Sequence, residues 1–127
     1  MSGFRTPLAR VRGLGSAKDG VGHWWAQRLT AVALVPLSLW LVAGIVSLAG
    51  AGRAEVAAWA GSPLTAALLV MTIAATFHHA QLGLQVVIED YVHNEGAKIA
   101  AIIAIKLLAA LVALIGVAAV LTLAVGG

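Results

Sequence analysis

The chain has 127 residues, of which 61% are hydrophobic and only 10% are charged, and its formal net charge is +3. A soluble domain needs about a quarter of its residues charged, so this composition excludes a soluble globular protein and indicates an integral membrane protein. The sequence contains no cysteine, which excludes iron–sulfur clusters, thioether-attached haem and disulfides held by this chain.

Residues 1–22 are predicted to form a flexible basic tail. They carry Arg5, Arg10, Arg12 and Lys18 against one acid, Asp19, and they have no sustained apolar face. A cleaved secretory signal is not expected, because the basic stretch is long and a full-length span follows it. An arginine-rich, acid-poor start is also compatible with a mitochondrial transit peptide, and that alternative stays open. No aromatic side chains are interleaved with a basic patch, so nucleic acid is not an expected partner.

The first predicted transmembrane span covers residues 29–49 and is long enough to cross about 30 Å of hydrocarbon. Trp24 and Trp25 precede it where an aromatic belt anchors a helix at the interface, and Arg28 is expected at headgroup depth. Pro36 lies in mid-span, where it removes one backbone hydrogen bond and is expected to kink the helix.

Two further spans follow, over residues 64–88 and 99–125. Residues 50–62 are predicted to be a loop that ends at Ser62 as a helix N-cap and Pro63 as the first helical residue. The third apolar run is longer than a bilayer needs and is interrupted only by Lys106, which is expected at the interface. Residues 99–105 would then extend beyond the hydrocarbon, so we expect a partner protein to cover them.

The distribution of basic residues predicts the orientation of the chain. Five Lys and Arg residues up to Arg28, together with Lys98 after the second span, lie on one side of the predicted membrane, and Arg53 alone lies on the other. Basic residues favour the cytoplasmic side. The predicted fold is therefore an all-α integral membrane unit over residues 23–127, with three transmembrane helices, a cytoplasmic N-terminus and a periplasmic C-terminus.

Candidate functional residues lie along the second span. His79 is deep in the apolar segment, and Asp90 and Tyr91 close it. Eleven helical residues turn through about 1100°, so His79 and Asp90 share one face, about 16 Å apart. Small residues flank His79 on this face and leave room for a flat or bulky group close to the backbone. They are Gly83 on one side and Thr72, Ala75 and Thr76 on the other.

A histidine buried in a bilayer needs partners for its ring nitrogens. Two interpretations meet this need: a hydrogen bond to a neighbouring helix, or an iron on one nitrogen and a hydrogen bond on the other. His78 points about 100° away from His79 and is interpreted as a packing residue. His23 and His93 are near the interface, so a second axial ligand for an iron would have to come from another subunit.

Two motifs resemble a known family. The pattern His79-Ala80, Gly83, Asp90-Tyr91-Val92 and the run His23-Trp-Trp-Ala-Gln-Arg28-Leu-Thr-Ala31 are similar to the smaller membrane-anchor subunit, the cytochrome b small subunit, of succinate dehydrogenase. The resemblance implies that His79 is an axial ligand of haem b, shared with a second cytochrome b anchor subunit.

The same resemblance implies roles for four other residues. Tyr91 would donate a hydrogen bond to a quinone carbonyl, and Asp90 would orient neighbouring groups or relay protons. Arg28 would lie near the haem propionates, since a guanidinium suits carboxylates. His23 is a weaker candidate for the same role, because some family members have a histidine one position earlier, where this chain has Gly22.

The implied function is that of a membrane anchor in succinate:quinone oxidoreductase, in respiratory electron transfer and the tricarboxylic acid cycle. Its implied partners are the second anchor subunit, an iron–sulfur subunit and a flavoprotein subunit that oxidises succinate, with membrane lipid and quinone around the anchor. The expected location is the bacterial inner membrane rather than the mitochondrial one. Two alternatives stay open: the anchor of a quinol:fumarate reductase, and a cofactor-free structural assembly protein.

Overall fold

The computed structural model describes the backbone of residues 14–126 and the side chains of residues 20–126. All regular structure in these residues is helical, and three of the four helices are long and apolar enough to cross a membrane. This confirms the predicted all-α architecture with three spans. The helices are α1 (Leu14–Ser47), α2 (Arg53–Gly61), α3 (Pro63–Tyr91) and α4 (Glu95–Gly126).

The spanning helices are longer than the predicted spans, because an apolar run ends at the first polar residues whereas a helix continues until its backbone hydrogen bonding stops. Helix α1 begins at Leu14, so the backbone of residues 14–22, within the predicted flexible tail, is helical. A glycine inside a helix costs only about 1 kcal/mol, which an adjoining long helix tolerates. Residues 1–13 lie outside the described residues, and the flexibility of that segment stays a prediction. Helix α1 continues through Pro36.

The predicted loop between the first two spans contains a short helix, α2. The chain leaves α1 through a turn in which Gly50 has a φ of 83°, a conformation that favours glycine. Glu55, in the first turn of α2, accepts a hydrogen bond of 2.8 Å from the Gly52 amide. Its negative charge also lies near the positive N-terminal end of the helix dipole, which stabilises the helix. Trp59 stacks on Trp40 of α1, with ring centroids 5.7 Å apart, and this contact holds α2 against the bundle.

Helix α3 begins where the sequence predicted. Ser62 is its extended N-cap residue and Pro63 is its first helical residue. The Ser62 hydroxyl does not cap α3; instead it donates to the Trp59 carbonyl at 3.0 Å. The Ser62 hydroxyl therefore caps the C-terminus of α2. Helix α3 is favoured at its start by Pro63, whose fixed φ of about −65° suits the first helical position.

Helix α3 lies between α1 and α4 and contacts both, while α2 packs against α4 and α3. Close approaches occur where glycines face a neighbour. A Cβ at Gly116 would lie 3.2 Å from Ile73, and one at Gly61 would lie 2.7 Å from the Leu123 carbonyl oxygen. Few side chains are buried, and the large apolar ones are mostly exposed. Such a surface requires lipid or partner helices around it.

Candidate functional site

His79 projects from α3 towards α1 and is half-buried. Its Nδ1 lies 3.0 Å from the Thr30 hydroxyl oxygen. The same hydroxyl lies 2.7 Å from the Ala26 carbonyl oxygen and 3.1 Å from that of Gln27, one turn earlier in α1. Thr30 therefore bridges the backbone of its own helix and the imidazole of the next.

These distances favour one tautomer of His79. A threonine hydroxyl has one hydrogen to donate, and the short contact with Ala26 uses it. With its hydrogen on the Ala26 carbonyl, the hydroxyl is an acceptor for His79, and we therefore assign the hydrogen of a neutral His79 to Nδ1. A neutral imidazole with its hydrogen on Nδ1 has a free lone pair on Nε2. This is the tautomer in which a histidine binds a metal through Nε2 while its other nitrogen is held by a hydrogen bond.

A groove of about 420 Å³ lies between α1 and α3, one turn from His79. A Cβ built on Gly83 would have only the Gln27 amide nitrogen within 4 Å, at an ordinary contact distance of 3.8 Å, and Gly83 keeps this part of the groove wall free of a side chain. The groove is lined by Gly20, His23, Trp24, Gln27, Arg28, Gly83 and Val86.

Two buried polar atoms on α1 have no hydrogen-bond partner among the described residues. They are Nε2 of His23 and Oε1 of Gln27, and both side chains line the groove. A buried polar atom without a partner costs about 1–3 kcal/mol, so both atoms favour a polar ligand or partner in the groove. The guanidinium of Arg28 lies 5.1 Å from the Trp24 ring centroid. The structure thus brings His23, Arg28 and Gly83 together in one groove.

The small residues on the other side of His79 differ in exposure: Thr76 is exposed and Ala75 is half-buried, whereas Thr72 is buried. Thr72 is buried, and its hydroxyl donates to the Leu68 carbonyl at 2.7 Å. The residues that the structure describes contain no group of three His, Asp or Glu side chains that could hold a metal ion. His79 is therefore not part of a metal-ligand cluster within these residues, and it lies one helical turn from Gly83 of the groove.

Asp90 and Tyr91 form the last turn of α3 and are exposed, Tyr91 by 77%. The helix closes there with a 2.9 Å hydrogen bond from the Val92 amide to the Ile88 carbonyl. Tyr91 is eight residues beyond Gly83, or about 12 Å along the helix. The structure therefore separates the two predicted sites: the groove lies between helices, whereas Asp90 and Tyr91 lie at the end of the bundle.

The depth of these residues follows from the contacts between helices. Gln27 meets Gly83 and Thr30 meets His79, so α1 and α3 are antiparallel. Along α1, Trp24 and Trp40 are about 24 Å apart, close to the thickness of the hydrocarbon core, and tryptophans mark the two interfaces. His79 then lies inside the hydrocarbon, whereas Tyr91 lies beyond the Trp24 level, among the headgroups.

The sequence did not single out Thr30 or Gln27. Thr30 is part of the quoted motif on the first span, but its contact with His79 depends on how two antiparallel helices align. His78, interpreted as a packing residue, is exposed. Its Nδ1 lies 3.3 Å from the Gln81 amide nitrogen, on a different side of α3 from Thr30.

Residues 2–113 match the family model described as the succinate dehydrogenase/fumarate reductase transmembrane subunit. The chain is 38% identical over 106 residues to the succinate dehydrogenase hydrophobic membrane anchor subunit of Rickettsia bellii, covering 82% of this chain and 83% of that one. It is 31% identical over 100 residues to the protein of the same description from Paracoccus denitrificans, covering 79% and 77%.

A third relative is the succinate dehydrogenase membrane anchor subunit of Reclinomonas americana. It is 30% identical over 95 residues, covering 72% of this chain and 79% of that one. No solved structure gives a significant match.

Proposed function

Because this chain belongs to the family of succinate dehydrogenase/fumarate reductase transmembrane subunits, we propose that it anchors a succinate:quinone oxidoreductase in the membrane and supplies one haem ligand and part of a quinone site. The observation that carries this proposal is the hydrogen bond between Thr30 and His79, which leaves Nε2 available to an iron one helical turn from Gly83 of the groove. The partners of such an anchor are a second cytochrome b anchor subunit, an iron–sulfur subunit and a flavoprotein subunit that oxidises succinate.

The residues present fit a haem b. His79 would be one axial ligand through Nε2, with Thr30 fixing the ring through Nδ1. Arg28 and His23 are the cation and the polar group on the groove wall that suit propionate carboxylates. Gly83 leaves space beside them. A haem held in this way supplies one-electron transfer within the membrane, and the opposite axial ligand would come from the second anchor subunit.

The quinone site is proposed at the end of α3. Tyr91 lies at headgroup depth, where a quinone ring can leave the hydrocarbon while its tail stays in lipid. Its hydroxyl is a neutral donor that can bind a quinone carbonyl oxygen and stabilise the negative charge that develops there on reduction. Asp90, next to it, is an exposed carboxylate that can accept a proton from water and pass it on. Both side chains are free on this chain's surface to meet a partner subunit.

Two observations favour this proposal over the alternatives. The relatives are described as succinate dehydrogenase anchors, which favours succinate oxidation over fumarate reduction as the role of the complex. A ligand in the groove can pair with His23 Nε2, whereas a cofactor-free structural protein would need a partner chain to supply that hydrogen bond. The bacterial inner membrane is the proposed location, with the N-terminus in the cytoplasm.

The variant Tyr91→Phe tests the quinone site. Phenylalanine keeps the ring and its contacts with lipid and deletes the donor. Losing such a hydrogen bond to a reacting oxygen costs about 2.7–4 kcal/mol in well-studied sites, and less where the bond already exists in the bound ground state. The succinate–quinone rate of the purified complex should therefore fall by at least about tenfold.

Electron transfer from succinate to a soluble dye, measured on the same sample, is the control. It should stay at the wild-type level, and so should the haem absorbance and the subunit composition. A preserved quinone rate in an intact complex would show that Tyr91 is only an interfacial aromatic residue. A wild-type complex without a b-type absorbance would refute the haem proposal.

A further inference from the structure

A second polar cluster lies on the opposite side of α3 from Thr30, and the proposed haem and quinone chemistry does not use it. Its members are His78 and Gln81 of α3 and Lys106 of α4. The Lys106 amine donates to Gln81 Oε1 at 3.1 Å, and the Gln81 amide nitrogen lies 3.3 Å from His78 Nδ1. The sequence predicted Lys106 at the interface but did not connect it with His78.

The donor and acceptor roles in this cluster are fixed, starting from Lys106. The lysine can only donate, so Gln81 accepts at its oxygen and donates from its nitrogen. His78 Nδ1 is then an acceptor, and a neutral His78 carries its hydrogen on Nε2. The cluster therefore offers as donors an imidazole N–H of His78 and the two remaining ammonium hydrogens of Lys106. It suits an anion.

The charge of Lys106 is not balanced within the described part of the chain. The salt bridge there joins Lys98 to Glu95 at 3.3 Å, and Lys106 has the neutral Gln81 as its partner. A cation in an apolar helix without a counter-ion is costly unless its amine reaches the interface or an anion reaches it. Lys106 is exposed, so a negative group from the surroundings of the helix can reach it and complement its charge.

The cluster lies close to the inner edge of the hydrocarbon. Gln81 lies between Gly83, which meets Gln27, and His79, which meets Thr30. This puts Gln81 and its partner Lys106 at the level of Arg28, about 6 Å below the Trp24 belt. Side chains lean towards the N-terminus of their helix, which for α4 is the end near Tyr91, so the Lys106 amine is directed towards the headgroups.

A groove of about 340 Å³ runs from this cluster towards the middle of the bilayer. Its floor is made of alanine methyl groups, and Ala113 is seven residues, or about 10 Å, deeper than Lys106. The groove therefore has cationic and donor groups at its headgroup end and a smooth apolar floor below. The lining residues are Ala74, Phe77, His78, Gln81, Lys106, Ala109, Ala110 and Ala113.

We propose that this groove binds one anionic phospholipid of the leaflet around the Tyr91 end of the bundle, with its phosphate on Lys106 and His78 and an acyl chain along the alanine floor. In a phospholipid the anionic phosphate lies at headgroup depth and the acyl chains lie deeper. This matches the groove, which has its donors at the headgroup end and its apolar lining below. A carboxylate on a partner's transmembrane helix could also neutralise Lys106, but it would itself have to be buried in hydrocarbon. The phosphate reaches the site from the headgroup layer.

The test uses the purified complex with all its subunits, delipidated in mild detergent and titrated with phosphatidylglycerol or phosphatidylcholine, with bound lipids counted by native mass spectrometry. The wild-type complex should bind one phosphatidylglycerol per copy of this chain more tightly than phosphatidylcholine. Lys106→Gln removes the charge and should weaken this binding by about tenfold, as for a lost charge-assisted hydrogen bond.

Two variants are matched controls. Lys106→Arg keeps the charge and should retain the lipid. Lys98→Gln removes a cation from the same helix about 12 Å nearer its start and should leave the tight site intact. Equal binding to wild type and Lys106→Gln would overturn the proposal. Loss of a subunit from the Lys106→Gln complex, or failure of that complex to assemble, would also overturn it, because Lys106 would then pair with a protein carboxylate.

Discussion

The hydrogen bond from His79 to Thr30 leads to a prediction that depends on the geometry of this structure rather than on the motif alone. Thr30→Val replaces the hydroxyl by a methyl group of nearly the same shape. The imidazole then loses the acceptor 3.0 Å from Nδ1, while the contacts of α1 with α3 stay nearly unchanged. Helix α1 loses no backbone hydrogen bond, because the Thr30 hydroxyl only supplements the carbonyl groups of Ala26 and Gln27.

The expected effect is a higher midpoint potential of the haem. A hydrogen bond donated by Nδ1–H makes the imidazole a stronger electron donor and stabilises the oxidised iron. A neutral hydrogen bond contributes about 0.5–1.5 kcal/mol. If this whole free energy stabilises only the oxidised state, its loss raises the one-electron midpoint potential by about 20–65 mV. The conversion uses about 59 mV for each tenfold change in the equilibrium constant.

The assay is a redox titration of the purified complex, followed through the haem absorbance. Thr30→Ser keeps the hydroxyl and should titrate close to wild type. Thr72→Val makes the same chemical change at a buried threonine of α3 that binds only its own helix, and it should also leave the potential unchanged. A potential that stays at the wild-type value in Thr30→Val, or that falls, would refute the assignment of the Nδ1 hydrogen.

Two further predictions concern topology and packing. A reporter fused after Gly127 should be active in the periplasm, because the basic residues hold the N-terminus in the cytoplasm; activity in the cytoplasm would reverse the orientation and move Tyr91 to the other side. Gly44→Ala should lower the thermal stability of the complex by about 1–3 kcal/mol, since its Cβ would lie 2.5 Å from the Trp59 ring, which is stacked on Trp40. Gly22→Ala, with nothing within 4 Å, is the control, and equal melting temperatures would contradict the contact between α1 and α2.

Much of the fold is predictable from the sequence, because a membrane leaves few choices. A long apolar run must become a helix in order to satisfy its backbone, and the sequence therefore predicts three spanning helices. The short helix α2 was missed because its apolar signal is weak. Its stability comes from contacts across the bundle, such as Trp59 on Trp40, which no local pattern reveals.

The candidate site was predictable to the extent that its residues belong to a motif. His79 and Gly83 were identified in this way, and Gly83 lines the groove between α1 and α3. Their contact partners, Thr30 and Gln27, were not identified, because the register between antiparallel helices determines which residues meet. Thr30 is 49 positions from His79, and Lys106 is 25 positions from Gln81. At such separations a sequence without its fold carries no signal of contact.

The proposed ligation of haem iron by His79 is tested most directly by comparing two neighbouring histidines. His79 faces Thr30, while His78 is exposed beside Gln81 on another side of the same helix, so the pair is matched in residue type and differs by about 1.5 Å in depth. The measurement is the reduced-minus-oxidised spectrum of the purified complex. His79→Ala should remove or alter the low-spin b-type spectrum, and His78→Ala should leave it largely intact. An unchanged spectrum in His79→Ala would contradict the account, and a loss confined to His78→Ala would assign the ligand to the neighbouring residue.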